Sequence, residues 1–208
     1  MEMEMSKIIV FNNVTLDGVM QAPGRADEDS RGGFSHGGWA IPYADETLGK
    51  AAGESMATTG GLLLGRRTYE DFYKVWPNRK DNPFTEVLNN TPKYVASTTL
   101  REPLPWMNST LLKGKVPDAV AALKAAQTKD LVVLGSGVLI NTLMMHNLID
   151  QYILLIHPLV LGSGHHLFPE GSEYTTLQLV DRKTTSTGVV IATYQPGKSP
   201  APQSSASV

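Results

Sequence analysis

Leu131-Val132-Val133-Leu134 runs through Gly135-Ser136-Gly137 directly into Val138-Leu139-Ile140-Asn141-Thr142-Leu143-Met144, with no spacer between a strand-type apolar run and a helical one. A joint this short ties a buried strand to the helix that follows it, and it predicts an α/β chain. It also leaves main-chain N–H groups and a helix N-terminus facing outward, an arrangement that receives phosphate. Leu62-Leu63-Leu64-Gly65-Arg66-Arg67-Thr68-Tyr69 repeats the joint and adds two guanidiniums and a hydroxyl. Two such joints in one small domain point to a ligand with phosphates at two places, and a nicotinamide dinucleotide is the commonest molecule of that kind.

The 208 residues predict one domain, residues 6–195, able to bury roughly 70% of its unfolded surface. A formal net charge of −2 gives no electrostatic reason to expect nucleic acid or an anionic membrane as partner. With no cysteine, disulfides and thiolate metal sites are excluded, and a reducing, cytoplasmic setting is expected. No apolar run approaches the ~20 residues of a membrane helix. Met1-Glu2-Met3-Glu4-Met5 lacks the apolar core of a signal peptide and reads as a short appendage. Residues 196–208, rich in Pro, Ser and Ala, cannot bury enough surface to order themselves and are expected to form a disordered tail.

Along the chain, Ile8–Phe11 begins a buried strand that ends in the turn-prone Thr15-Leu16-Asp17-Gly18-Val19. Pro23–Tyr43 is a long Gly-rich, charged segment that also holds Phe34, Trp39 and Tyr43, so a functional loop is expected there. Leu48, Ala51, Ala52 and Met56 share a helical face over about 45–58, and Tyr69, Phe72, Tyr73 and Trp76 share another, stopped by Pro77. Strands follow at Leu62–Gly65, Lys93–Thr98, Ser109–Leu112, Leu131–Leu134 and Tyr152–Ile156, with a helix opened by Pro117 and another after Gly137. Leu177–Val180 and Val189–Tyr194 have no helix between them and should pair antiparallel. The sum is a doubly wound, mainly parallel α/β sheet with an antiparallel C-terminal edge.

Gly135-Ser136-Gly137 is not the Rossmann fingerprint, because Ile140 stands at the third glycine position and no acidic residue follows about 20 positions on. Alone, it could be a tight strand-to-helix turn and nothing more. Arg66 and Arg67 change that balance. Cations at a helix start oppose the helix dipole, and an anion bound there resolves the conflict. The C-terminal edge of an open α/β sheet is also where ligands sit, and Ser97-Thr98 should add hydroxyls at that edge. A charge-assisted contact to a 2′-phosphate is worth roughly 1.5–3 kcal/mol, so NADPH is expected over NADH.

These residues resemble the dihydrofolate reductase fold, and more closely the reductase half of the bifunctional riboflavin-biosynthesis deaminase–reductase with its stand-alone bacterial relatives. The resemblance rests on Thr15-Leu16-Asp17-Gly18-Val19, Leu64-Gly65-Arg66-Arg67-Thr68-Tyr69-Glu70, Leu134-Gly135-Ser136-Gly137, His157-Pro158-Leu159-Val160-Leu161-Gly162-Ser163-Gly164 and Leu167-Phe168-Pro169, in family order. It implies an NADPH-dependent reductase and a homodimer. Gly65, Arg66, Arg67 and Thr68, with Gly135, Ser136, Gly137, Val138 and Leu139, would hold the pyrophosphate. Ser97 and Thr98 would lie near the adenosine phosphate. Val14 to Met20, including Gly18, would cover the nicotinamide, and Pro23–Tyr43 would be the mobile segment over the substrate. The substrate is left open, because Gly49 stands where dihydrofolate reductases carry a carboxylate, and Ala44-Asp45-Glu46 where the riboflavin enzyme carries arginines.

In a pocket lined by Phe34, Trp39 and Tyr43, a carboxyl group could have a raised pKa and donate a proton. Asp45 and Glu46 are the candidates, with helix capping as their competing role. Asp17 reads as a turn former. The five histidines show no metal-ligand spacing, and no metal is expected. Two functions compete. One is an NADPH-dependent reductase of a small pterin- or pyrimidine-like heterocycle. The other is a non-catalytic NADP(H)-binding sensor or dimeric scaffold.

Overall fold

Strands Ile8–Thr15 (β1), Thr59–Gly65 (β2), Lys93–Ala96 (β3), Ser109–Leu111 (β4), Asp130–Leu134 (β5), Gln151–His157 (β6), Leu177–Thr184 (β7) and Val190–Pro196 (β8) form one sheet. Its order is β4-β3-β2-β5-β1-β6-β8-β7. The computed structural model describes residues 6–172 and 174–197, so the Met1–Met5 appendage and positions 198–208 of the expected tail lie outside the described residues. The first two tail residues belong to the fold. Pro196 pairs with Leu177, and the Gly197 amide donates to the Thr176 carbonyl at 2.7 Å.

All pairings from β4 to β6 are parallel, while β6–β8 and β7–β8 are antiparallel. Parallel strands covered on both faces should be apolar throughout. Accordingly Ile8, Val10, Leu62, Leu63, Leu64, Leu131, Val132 and Val133 are fully buried.

The helices are Glu46–Ala57 (α1), Arg66–Val75 (α2), Phe84–Asn90 (α3), Val116–Ala126 (α4) and Gly137–Met145 (α5). Right-handed crossovers decide their faces. Connections moving toward β4 carry α1, α2 and α3 onto one face, where Met56, Tyr69 and Leu88 pack on Leu62, Leu64 and Val132. Connections moving the other way carry α4 and α5 onto the opposite face, where Val120, Ile140 and Leu143 pack on Val10, Leu131 and Val133.

Several elements differ from the sequence reading in extent, and one helix is additional. The third strand stops at Ala96, because Ser97 begins a turn. The strand from Leu177 continues to Thr184. Helix α3 was not anticipated, although Phe84, Val87 and Leu88 carry helical spacing and the Asn82 Oδ1 accepts the Phe84 amide at 2.9 Å.

Lys93 is fully buried, and its ammonium donates to the carbonyls of Leu88, Asn89 and Thr91 at 2.7, 3.0 and 2.8 Å. It also lies over the Trp106 ring, 4.4 Å from the centroid. The last carbonyls of α3 are thereby satisfied, and β3 is locked to the helix before it. Burial draws the ammonium down to about 8, still charged at neutral pH. Lys93→Met should cost about 2–4 kcal/mol, since it strands buried carbonyls; urea unfolding of the two proteins measures it.

Candidate functional site

Strand β5 sits between β2 and β1, and its connection leaves for the face opposite to theirs. Where neighbouring connections diverge, a crevice opens at the C-terminal ends of the strands, and this is where open α/β sheets bind ligands. The joints at Gly65 and Gly135 flank it. Helix α2 begins from Gly65, which has no side chain to cap it. Helix α5 begins from Ser136, which makes no capping bond to its own helix. Both helices therefore present first-turn N–H groups without a side-chain acceptor, at the positive ends of their dipoles. By contrast α1, outside the crevice, is capped by Asp45, whose carboxylate accepts the Leu48 amide at 2.9 Å.

The two joints touch each other. The Ser136 hydroxyl accepts the Gly65 amide at 2.8 Å and donates to the Thr68 hydroxyl at 2.8 Å. Gly135 has φ 61, and a Cβ there would meet Thr68 at 3.3 Å; one on Gly137 would meet the Met20 sulfur at 3.0 Å. The backbone thus forms a cradle that side chains would fill. Arg66 leans on Glu70 at 3.2 Å, whereas Arg67 is exposed and makes no ion pair among the described residues. Val138 projects outward, 80% exposed, and Leu139 turns into the core. The donor set of two uncapped helix starts fits a pyrophosphate, and the two guanidiniums beside it fit a further phosphate.

The segment from Val14 to Met20 closes the next side of the crevice. Thr15 donates to Asp17 and accepts the Val19 amide at 2.9 Å. Asp17 in turn accepts the Gly162 amide at 2.7 Å, and these hydrogen bonds hold its carboxyl below its usual range. Gly18 and Met20 are zipped to the 159–167 segment through Leu167 N to Gly18 O at 2.9 Å and Met20 N to His165 O at 2.8 Å. Gly164 permits this approach, for it has φ 119, and a Cβ there would stand 2.7 Å from Val19. Asp17 is the turn former its sequence context suggested. On the other side, the Ser97 hydroxyl accepts the Thr99 and Leu100 amides at 3.1 and 3.0 Å, which occupies it in its own turn, and Thr98 is exposed.

The aromatic segment is organised differently from the expected substrate-facing loop. Phe34 and Trp39 are only 8% and 7% exposed and form a small core with Val19 and Ala22. The Trp39 indole donates to the Gln21 carbonyl at 2.7 Å, and the buried Gln21 amide holds the carbonyls of Asp29 and Arg31. Arg25 grips Asp71 of α2 with both guanidinium nitrogens, at 2.6 and 3.2 Å. Aromatic burial, with a two-pronged ion pair, gives this segment a fixed shape. Tyr43 is half-buried and turns its ring against His157, centroids 5.4 Å apart.

His157 opens the His157–Gly164 stretch of the sequence, but nothing in that stretch signalled that its ring would be buried against aromatic residues of a distant loop. It ends β6 at the same sheet edge, 1% exposed, with Nε2 2.9 Å from Asn13 Oδ1 and Nδ1 without a partner among the described residues. Trp39 and Tyr43 meet its ring edge-on. Burial pushes its pKa down to about 4, so the ring is neutral at physiological pH.

Asp45 takes the helix-capping role that its sequence position offered beside proton donation. One carboxylate oxygen caps α1 and the other accepts the Ser186 amide and hydroxyl at 2.9 and 2.8 Å. These bonds hold it below the usual carboxylate range, opposite to what a proton donor needs. Glu46 lies exposed in the first turn of α1.

Residues 6–191 match the model of the RibD C-terminal domain. The chain is 31% identical over 138 residues to the uncharacterized protein YyaP of Bacillus subtilis, covering 64% of this chain and 72% of that one. Its fold is similar to a Shewanella sp. PV-4 protein named for riboflavin biosynthesis (TM-score 0.66, 24% identity, 92% of this chain and 99% of that one). It is also similar to a dihydrofolate reductase of Enterococcus faecalis complexed with NADP(H) (TM-score 0.56, 16% identity, 92% and 97%).

Because its pKa is depressed on folding, His157 contributes stability that is present above the unfolded value of 6.5 and is lost as pH falls toward about 4. A His157→Gln variant should lack that acid-dependent loss of about 3 kcal/mol across this window, whatever its stability at neutral pH; urea titrations at pH 7 and pH 4 compare the slopes. Asp45→Asn should lower the melting temperature and leave turnover intact, which a paired melting and rate measurement checks.

Proposed function

We propose that this chain, which belongs to the RibD C-terminal domain family, is an NADPH-dependent reductase of a small planar heterocycle of pterin or pyrimidine type. Membership supports a reductase-type activity. No helix among the described residues is long and apolar enough to cross a membrane. The observation that carries the cofactor reading is the pair of uncapped helix starts at Gly65 and Ser136, side by side at the point where the strand connections diverge. Their amides, with the Thr68 hydroxyl, bind the pyrophosphate, and Arg66 and Arg67 supply positive charge for the 2′-phosphate. The Val14–Met20 segment, held by Asp17 and Gly164, forms the wall against which the nicotinamide lies.

When bound, the cofactor supplies a hydride; the chain's own residues bind, orient and exclude water. The accompanying proton comes from solvent in this reading. Asp45 is held as a carboxylate, and the neutral His157 ring lies beneath Trp39 and Tyr43. Tyr43 is the aromatic residue of the loop with surface left for a flat substrate, since Phe34 and Trp39 are buried in their own cluster. That burial favours a second reading, a non-catalytic NADP(H)-binding sensor or dimeric scaffold.

Arg66→Ala and Arg67→Ala should each weaken NADPH ten- to a hundredfold, about 1.5–3 kcal/mol, and leave NADH unchanged. Calorimetric titration with both cofactors measures this, and equal effects on the two would remove the 2′-phosphate assignment. Following NADPH absorbance with pterins, dihydrofolate and diaminopyrimidines separates the two readings. Consumption supports the reductase, and tight binding without consumption on any of them supports the sensor.

A further inference from the structure

Ser136 stands between two glycines yet occupies the left-handed region, φ 66 and ψ 54, which disfavours every residue with a side chain. Glycine would take that conformation freely, whereas the serine side chain here is held by the bonds of its hydroxyl. It does not cap its own helix. It crosses to the neighbouring joint, accepting from the Gly65 amide and donating to Thr68 Oγ1, each at 2.8 Å.

A main-chain N–H can only donate, so Ser136 Oγ accepts there with one of its two lone pairs, and its own proton is directed to Thr68 Oγ1. Thr68 Oγ1 has then accepted, and its proton meets no acceptor among the described residues. The relay therefore ends on an O–H donor in the first turn of α2, at the positive end of the helix. A ligand there has to be an acceptor, and phosphate oxygens are acceptors only. Each bond in such a series polarises the next, so the terminal donor is strengthened by the amide behind it.

We infer that Ser136 is a positioning residue for the cofactor pyrophosphate: it ties the starts of α2 and α5 together and commits the Thr68 hydroxyl to donate outward, without touching the ligand itself. The inference rests on the reading of the two joints as the pyrophosphate site. It assigns the serine a role that its neighbours Gly135 and Gly137 cannot share.

The test compares wild type with Ser136→Gly, Thr68→Val, Thr68→Ser and the Ser136→Gly/Thr68→Val double variant. Each is titrated with NADPH by calorimetry and melted without ligand. Ser136→Gly suits the backbone and removes only the hydroxyl, so its unliganded melting temperature should stay level or rise while NADPH affinity falls at least tenfold. A merely structural serine would show the reverse, lower stability with affinity unchanged. Thr68→Ser should bind like wild type, and the double variant should bind no worse than Thr68→Val alone. NADPH affinity of Ser136→Gly within twofold of wild type, or additive losses in the double variant, would overturn the relay. Wild type that takes up no NADPH would overturn the cofactor reading itself and this inference with it, an outcome distinct from a binding wild type with an indifferent variant.

Discussion

The handedness of the crossovers is the constraint from which the remainder of the molecule follows. Strands β2, β5 and β1 lie side by side, but the connection after β5 turns to one face and those after β2 and β1 to the other. Right-handed connections leave no alternative once the strand order is set. Divergence at β5 opens a gap at one end of the sheet. The same geometry points the N-termini of α2 and α5 into it, so the site is a consequence of topology before any side chain is chosen.

Side chains then finish what topology begins. A helix start needs partners for its first N–H groups, and most helices recruit a side chain for this. Helix α1 does so through Asp45, whereas α2 and α5, like α3 and α4, have no capping bond from the N-cap side chain. The absent caps leave donors unsatisfied where a polyanion can satisfy them. The wall opposite is made rigid by a different device: Asp17, Gly164 and the buried Gln21 amide lock the ends of distant segments by main-chain hydrogen bonds. Arg25 joins that wall to α2 through Asp71, so the segment holding Phe34 and Trp39 is attached to the helix that starts from the Gly65 joint.

Much of this was legible before the fold was known. Strand runs such as Leu62–Leu64 and Leu131–Val133 announce themselves because both faces of a parallel strand are buried, and a continuous apolar run has few other uses. The helix over Phe84–Asn90 escaped notice because it is short and follows an Asn-Pro pair that reads as a turn. Asp45 was legible only as a choice between proton donor and cap. Ser186, 141 residues away, adds two hydrogen bonds that favour the ionised form. The aromatics Phe34 and Trp39 looked like a substrate surface since loops seldom carry them, but an aromatic ring in a loop can equally be the core of that loop.

By itself, then, the sequence determined the α/β class, the strands and most helices, the two strand-to-helix glycine joints and the antiparallel edge, because these depend on periodicity and on neighbours close along the chain. Only the tertiary structure decided which polar groups are free. The hydroxyl of Ser136 is engaged by an amide 71 residues earlier, burial keeps His157 neutral, and Lys93 is consumed by the end of a helix. Whether a group donates, accepts or titrates is set by what faces it in space, and those partners come from segments that the linear order keeps far apart.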